Sequence, residues 1–253
     1  MITALLQYHV LNGSVPASAF TTTAQFIPTL LTNTSFTNVT GGQVVMGMLS
    51  GKSVEVFSGL KEKSTVTTAD IMFSGGVMHI IDTVLTIPLS ASASAIDSQL
   101  TALAGALTKT SLVTTVDSLR DVTIFAPSNE AFQNIGSAAG SLTNDQLSSI
   151  LEYHVIAGTV GYSSLLTSGL ANETLPTVLG GEGVAIESVN KKVFVNSAQV
   201  VITDIIVANG VMHVIDKYAP PPFSLAFLSL AFPCFPLAFP CFPLLSLAFP
   251  CFP

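Results

Sequence analysis

The sequence predicts an α+β fold made of two copies of one domain, each with a mostly antiparallel sheet. In the second half of the chain, apolar residues at helical spacing come first and short alternating strands follow, without the strand–helix alternation of a parallel sheet. Two blocks of sequence also recur in the same order, which indicates a tandem duplication. With 49% hydrophobic and 9% charged residues, the 253-residue chain can bury a sizeable core.

The duplication rests on two pairs of matched blocks. Residues 8–15 (YHVLNGSV) recur at 153–160 (YHVIAGTV), and residues 70–82 (DIMFSGGVMHIID) recur at 204–216 (DIIVANGVMHVID). The offsets are 145 and 134, so the order is kept while the loop between the blocks differs by 11 residues. Two ordered matches of this length predict two homologous domains.

The two copies are predicted to differ in length. Only seven residues precede Tyr8, whereas about sixty lie between the end of the first copy and Tyr153. We therefore expect an N-terminally truncated copy at residues 1–88, a linker at 84–95 and a complete copy at 93–219.

The first copy has no counterpart of the apolar segment Val122–Pro127. Its sheet is therefore expected to leave apolar side chains uncovered, among them Val54, Val56 and Val66. We also expect this copy to be much less stable than the second.

The first elements of the second copy follow from local patterns. Four apolar residues at helical spacing predict its first helix: Ile96, Leu100, Leu103 and Leu107. The apolar run Val122–Ala126 predicts a strand that ends at Pro127. Ser128 can then cap a short helix that has Glu130 in its first turn.

A further helix begins at a predicted capping box. Thr143 and Gln146, three residues apart, can each bond the backbone N–H of the other, and Leu142 can pack against Leu147 as a hydrophobic staple. The face that this helix buries is expected to consist of Leu147, Ile150, Leu151 and His154.

The rest of the second copy is predicted to form strands. Residues 184–186 (VAI) and 193–195 (VFV) flank Asn-Lys at 190–191 in the manner of a hairpin. Two further strands are predicted, one with alternating Val200 and Ile202 and a last one at Val211–Ile215. This order of elements favours a mostly antiparallel sheet.

Three motifs in this copy resemble the boxes of the fasciclin (FAS1) domain family. Residues 123–132 (TIFAPSNEAF) are similar to its first box, residues 153–155 (YHV) to its Tyr-His motif, and residues 209–216 (NGVMHVID) to its second box. The resemblance implies a β-wedge of two mostly antiparallel sheets flanked by helices. It also implies an extracellular or cell-surface protein that mediates adhesion rather than catalysis.

The resemblance also points to candidate adhesion contacts. In animal members, contacts with integrins are ascribed to an Asp-Ile pair before the second box and to the Tyr-His motif. In this sequence the matching residues are Asp70, Ile71, Asp204, Ile205, Tyr8, His9, Tyr153 and His154. The alternative for the two aspartates is that each bonds local backbone amides at a strand entry. His79 and His213 lie between apolar strand residues and are expected to be hydrogen-bonded structural residues.

Composition and motifs exclude several classes of function. A net charge of −7 with only 8 Lys and Arg argues against a nucleic-acid partner, because phosphate neutralisation needs clustered cations. All four His are widely separated and all three Cys follow residue 220, so no metal site is predicted. The sequence has no nucleophile elbow, P-loop or dinucleotide fingerprint, so no catalytic residue and no cofactor are predicted.

Four N-glycosylation sequons are present, at Asn12, Asn33, Asn38 and Asn172. Because sequons also arise by chance in Thr-rich sequence, both interpretations stay open. No secretion signal precedes the first copy, so we expect an incomplete N-terminus if the protein is extracellular.

The sequence thus predicts a non-enzymatic surface or matrix protein whose partners are cell-surface or matrix proteins or glycans. Membrane contact is expected only through an anchor missing from this chain. The main alternative is a carrier of a small molecule or lipid in a pocket between sheet and helices; an esterase-like enzyme is a distant third.

The tail at 220–253 repeats Phe, Pro, Leu and Cys without a charge and is predicted to be low-complexity sequence rather than a folded domain or membrane anchor.

Overall fold

The computed structural model describes residues 1–134, 142–181, 183–190 and 192–218. The expectations for the tail at 220–253 and for Lys191 of the hairpin lie outside the described residues.

Seven α-helices and twelve strands are described. The helices are α1 Ile2–Tyr8, α2 Ala91–Asp97, α3 Thr101–Lys109, α4 Val113–Ser118, α5 Asn129–Asn134, α6 Asn144–Tyr153 and α7 Ser163–Leu166, with 3₁₀ turns at Ala17–Ala19 and Gly59–Lys61. The strands are β1 Gln25–Pro28, β2 Val44–Ser50, β3 Ser53–Phe57, β4 Lys63–Phe73, β5 Gly76–Ile81, β6 Val122–Pro127, β7 Val155–Ile156, β8 Thr174–Pro176, β9 Gly183–Val189, β10 Lys192–Val195, β11 Ala198–Val207 and β12 Gly210–Ile215.

The first copy is a five-stranded antiparallel sheet in the order β1-β2-β3-β4-β5. Helix α1 packs its Ala4 and Tyr8 into a core with Leu31, Val45 and Leu85. Strand β5 stands at the end of the sheet, and within residues 1–88, all of which are described, no strand pairs with its outer edge.

The apolar surface that this edge exposes differs from the one expected. Val54 is buried and Val56 and Val66 are partly buried, because β3 and β4 lie inside the sheet. The β4–β5 hairpin instead exposes four large apolar side chains, Met72, Phe73, Met78 and Ile80, and others are exposed in α1 and in the loops of this copy, among them Leu6, Leu30 and Val84.

The second copy is a seven-stranded sheet in the order β7-β6-β12-β11-β10-β9-β8. All its pairings are antiparallel except β6 with β12, which run parallel. Helices α2, α3, α4 and α6 cover one face and share a core with β6 and β12. The two copies together confirm the predicted α+β class with two mostly antiparallel sheets and helices.

The pairing of β11 with β12 is irregular. Strand β11 changes register between Val200 and Ile202 and again between Ile202 and Ile205. Side chains from both ends of the sheet, Phe125 of β6 and Ile186 of β9, lie in one core cluster. The seven strands thus form one sheet that contributes side chains from both of its ends to the same core cluster.

Two local predictions hold and two need correction. The Thr143–Gln146 capping box is present, and Ser128 Oγ accepts the backbone N–H of Ala131 at the start of α5. The helix predicted from Ile96 to Leu107 is two helices, because Gln99 has a left-handed backbone (φ 60°) that ends α2 and leaves Ile96 exposed. The last part of the predicted linker belongs to α2, which Ser90 caps.

Among the described residues, no helix is long and apolar enough to cross a membrane.

Candidate functional site

The second Asp-Ile pair lies at a point where three segments meet. Asp204 has a left-handed backbone (φ 59°), is buried, and accepts the backbone N–H of Ser163, at the start of α7, on its Oδ1 at 2.8 Å. Its own N–H donates to His213 Nδ1 at 3.2 Å, and His213 Nε2–H donates to the carbonyl of Gly161 at 2.8 Å. These bonds join β11, β12 and the loop before α7.

The first copy repeats this arrangement. Asp70 is left-handed as well (φ 58°), and its Oδ1 accepts the backbone N–H of Ala17 at 2.8 Å. The N–H of Asp70 donates to His79 Nδ1 at 3.3 Å, and His79 Nε2–H donates to Val15 O at 2.9 Å. The two aspartates therefore do bond backbone amides, but those of a loop 53 and 41 residues away rather than local ones.

In both copies the tyrosine and the histidine of the Tyr-His motif are hydrogen-bonded to backbone carbonyls. The Tyr8 hydroxyl donates to Val44 O and the Tyr153 hydroxyl to Gly183 O, each at 3.0 Å. His9 and His154 each donate from Nδ1 to a carbonyl four residues earlier, at 2.7 Å. Burial lowers the pKa of His154 to about 4, although its bond to Ile150 O opposes the shift. Burial also lowers the pKa of His213, against the opposing field of Asp204.

Burial decides which of the candidate adhesion residues can meet a partner. Five are buried: Tyr8, Tyr153, His154, Asp204 and Ile205. Their side chains are out of reach of a partner that docks on this folded surface. The other three are Asp70, which is exposed, and His9 and Ile71, which are partly exposed. The Asp-Ile pair of the first copy is therefore the accessible one.

The sequons differ in accessibility. Asn12, Asn33 and Asn172 are exposed. Asn38 is only partly exposed because its backbone is held between segments of the second copy: its N–H donates to Ala208 O at 2.8 Å, and its carbonyl accepts from Asp121 N at 3.3 Å. Glycosylation at these sites stays a prediction, and Asn38 is the least accessible of the four.

An interface between the two copies is a feature that the sequence analysis did not identify. Gln43 is fully buried; its Nε2 donates to Val207 O at 3.1 Å, and its Oε1 accepts the N–H of Val44 at 3.0 Å. Asp121 Oδ1 accepts the N–H of Thr40 at 2.6 Å. One feature of the sequence could have indicated this interface: Gln43 directly precedes the apolar strand β2. An amide buried there without a hydrogen-bond partner would destabilise the fold, so a partner from elsewhere in the chain is expected.

An aromatic and a cationic contact complete this interface. The rings of Phe26 and Tyr162 stack with centroids 4.0 Å apart and planes 13° apart, beside a cluster of Val44, Met46 and Ile206. Lys61 Nζ donates to Thr203 O at 2.7 Å. Burial lowers the pKa of Lys61, and the nearby Asp204 opposes that shift.

The Tyr162 hydroxyl is buried and has no hydrogen-bond partner among the described residues. Burial raises the pKa of this phenol well above its ordinary value, and the carboxylates of Asp204 and Asp121 raise it further. The phenol is therefore neutral at physiological pH.

Two cavities bear on ligand binding. The void between helices and sheet of the second copy is about 20 Å³, which suits a single water molecule. A larger groove of about 470 Å³ lies on the first copy, and its mostly apolar lining includes Phe20, Val66, Val77, His79 and Ile81. This void between sheet and helices has no room for a ligand, whereas the first copy has a groove of ligand size.

The described residues contain no group of three or more metal-ligating side chains. The imidazoles of His79 and His213 each donate from Nε2 and accept at Nδ1, so both ring nitrogens are occupied by backbone partners. The hydrogen bonds of these two histidines therefore link strands to a neighbouring loop and leave no ring nitrogen for a metal ion or a substrate.

Comparison with known proteins gives one family. The sequence model described as the Fasciclin domain matches residues 1–88 and 98–221. A fasciclin-like arabinogalactan protein of Arthroderma benhamiae is 35% identical over 221 residues, covering 87% of this chain and 51% of the relative. The transforming growth factor-beta-induced protein ig-h3 of Sus scrofa is 31% identical over 183 residues, covering 69% of this chain and 26% of the relative.

The chain thus spans about half the length of the first relative and about a quarter of the second. Among solved structures, a FAS1 domain pair from the insect cell adhesion molecule fasciclin I has a TM-score of 0.48 and 18% identity, covering 86% of this chain and 79% of that chain.

Proposed function

Because this chain belongs to the fasciclin domain family, we propose that it is a non-enzymatic protein of the cell surface or extracellular matrix that mediates cell adhesion. Its partners in this proposal are cell-surface or matrix proteins or glycans. Family membership supports the general function, and the exposure of Asp70 beside the partly exposed Ile71 supports the place of contact.

The observation that carries the proposal is the difference between Asp70 and Asp204. Both have the same left-handed backbone and the same bond to a histidine, but Asp204 is buried and Asp70 is exposed. One Asp70 oxygen accepts the N–H of Ala17, and its other oxygen has no hydrogen-bond partner among the described residues. The side chain is therefore fixed in direction and can still accept a bond from a partner.

The buried polar groups support a binding role over a catalytic one. A general base needs a pKa near the working pH and access to substrate. His154 has its pKa lowered to about 4 and is buried, and His213 has both ring nitrogens bonded to the backbone.

The experiment compares cell attachment to surfaces coated with the full chain and with two variants. Asp70→Asn keeps a residue that tolerates the left-handed backbone but removes the charge. Asp97→Asn, on an exposed aspartate at the end of α2, is the matched control. We expect Asp70→Asn to reduce attachment by at least about half and Asp97→Asn to leave it unchanged. Attachment no better than to albumin, or equal for all three proteins, would contradict the proposal.

A second function, carriage of a small apolar molecule, is favoured by one observation, the groove of about 470 Å³ on the first copy. An apolar groove of this size falls in the range of small-molecule sites. Saturable binding of dodecanoate by calorimetry would support it.

A further inference from the structure

The loop that follows the Tyr-His motif of the first copy contains an asparagine directly before a glycine, Asn12 and Gly13. Both residues are exposed. Gly13 has φ +140°, which glycine adopts far more readily than other residues, and no described atom outside its chain neighbours lies within 4 Å of where a Cβ would stand. The backbone nitrogen of Gly13 is therefore open to approach by the Asn12 side chain.

The hydrogen bond of this nitrogen is easily broken. Gly13 N–H donates to the carbonyl of Leu11, two residues earlier, at 3.0 Å. A bond over three residues closes a γ-turn and is bent. The matching residues of the second copy, Ala157 and Gly158, are exposed as well, and Gly158 N–H reaches Arg120 O only at 3.3 Å. Exposure at this position is thus common to both copies.

The same pair of residue types occurs once more, in an enclosed place. Asn209 is 1% exposed, and its Nδ2 donates to Val116 O at 2.8 Å and to Leu119 O at 3.2 Å. The following Gly210 is buried and lies opposite Val122 of β6. The chain therefore carries its own control, with one accessible and one enclosed Asn-Gly pair.

An accessible Asn-Gly pair can react without an enzyme, and asparagine is among the thermolabile residues. The Gly13 nitrogen attacks Cγ of Asn12 and closes a succinimide ring, while the side-chain amide nitrogen leaves as ammonia with the proton of Gly13 N–H. One water molecule then opens the ring. Opening at Cγ gives aspartate; opening at the backbone carbonyl gives isoaspartate, whose main chain runs through the side chain and is one atom longer.

The loop around Asn12 has no slack for that extra atom. Asn12 N–H donates to the last carbonyl of β1 at 2.8 Å. Val15 O accepts from His79 Nε2 at 2.9 Å, and Ala17 N–H donates to Asp70 Oδ1 at 2.8 Å. Isoaspartate between these anchors lengthens the path from the first to the other two, so their bonds to His79 and Asp70 are strained.

We propose that Asn12 is a site of spontaneous deamidation, and that isoaspartate formed there releases residues 13–17 from Asp70 and His79. This modification goes beyond adhesion, since it needs neither partner nor enzyme. Its effect on cell attachment rests on the proposed function, in which Asp70 is the contact.

The first test ages the full chain at 37 °C and pH 8. The chain is made in bacteria, because a glycan on the Asn12 amide would block the leaving group. Peptide mass spectrometry should show Asn12 converting at least about tenfold faster than Asn209, which must wait for local unfolding. In urea the two should react alike. Equal rates in the folded chain, or reaction of Asn12 in urea alone, would overturn the proposal.

The second test follows the loop by hydrogen exchange with NMR. In the purified isoaspartyl form the N–H groups of Ala17 and Asp70 should exchange at least about fivefold faster than in the fresh chain. Those of Ser163 and Asp204, which make the matching bonds in the second copy, should not change. Asn12→Asp is the matched control, because it adds the charge without the extra backbone atom and should leave the exchange of Ala17 slow.

Unchanged exchange of Ala17 in the isoaspartyl form, or equally fast exchange in Asn12→Asp, would overturn the release of the loop. Cell attachment is then compared for the fresh chain, the isoaspartyl form and Asn12→Asp. We expect only the isoaspartyl form to fall towards the level of Asp70→Asn. If the fresh chain supports no attachment, the proposed function is wrong, and the mass and exchange measurements alone decide the proposal on Asn12.

Discussion

The imidazole of His213 accepts the backbone N–H of Asp204 at 3.2 Å and donates to the carbonyl of Gly161 at 2.8 Å. Both partners are backbone groups; Asp204 lies nine residues before His213 in the adjacent strand, whereas Gly161 lies 52 residues before it. Because one ring nitrogen accepts and the other donates, the ring is neutral in the folded protein. His213 therefore ties two β-strands and a loop together without carrying a charge.

Replacing this histidine is expected to destabilise the second copy. His213→Ala leaves the N–H of Asp204 and the carbonyl of Gly161 without their partner inside the core, which costs about 1–3 kcal/mol. His79→Ala is the matched control, since His79 makes the same bonds in a partly exposed site and water can replace it. Urea unfolding followed by circular dichroism measures both. The structural role is wrong if His213→Ala unfolds at the same urea concentration as the unchanged protein.

The buried His154 makes stability depend on pH. Its pKa is lowered from 6.5 to about 4 in the folded state, so between these values the unfolded chain binds more protons. The free energy of unfolding therefore falls as pH drops from about 6.5 towards 4, by up to roughly 3 kcal/mol for this group.

The measurement that isolates His154 is a comparison with His154→Gln. Urea unfolding at pH 7, 6, 5 and 4.5 gives the free energy of each protein, and the variant should show a flatter dependence. Parallel curves for the two proteins would exclude His154 as a source of the pH dependence.

The Tyr162 hydroxyl predicts a stabilising substitution. It is buried at the interface between the copies without a hydrogen-bond partner among the described residues. Tyr162→Phe keeps the ring on Phe26 and removes the desolvated hydroxyl, so the free energy of unfolding should rise by about 1 kcal/mol. Tyr8→Phe is the matched control and should lower it by about the same amount, because the Tyr8 hydroxyl donates to Val44 O. A loss of stability in Tyr162→Phe would show that the hydroxyl has a partner such as ordered water.

The two copies are expected to differ in local stability. Among the described strands none pairs with the outer edge of β5, whereas β12 lies between β6 and β11. Hydrogen exchange of the full chain should therefore be more than about tenfold faster in β5 than in β12. Equal protection of the two strands would contradict the expected difference.

Much of the fold was predictable from local sequence, because its signals act within a few residues. The capping box of Thr143 and Gln146 spans three residues, and the strand Val122–Pro127 is an apolar run ended by proline. The end of α2 near Gln99 was not predicted, because Gln99 adopts a left-handed backbone although it is neither glycine nor next to a proline. The internal repeat places Asp70 and Asp204 at equivalent positions, and each of them accepts a backbone N–H and donates its own N–H to a histidine.

The internal repeat could not predict the contacts between the two copies. Gln43 and Val207 are 164 residues apart, and the stacking of Phe26 on Tyr162 joins residues that no local pattern connects. Nor could sequence alone show that Asp204 is buried while Asp70 is exposed. That difference depends on which strands and helices cover each copy, and it decides which residues can contact a partner.

The bond between Gln43 and Val207 has a consequence for the order of events during synthesis on the ribosome. The segment around Gln43 leaves the exit tunnel long before its acceptor in β11 exists, by roughly ten to thirty seconds at typical translation rates. During that interval the second copy is not yet there to cover the side chains of Gln43, Val44 and Met46, which are buried in the folded protein. They are then in contact with water or chaperones. The N-terminal copy therefore reaches its final form only after the C-terminal one has been made.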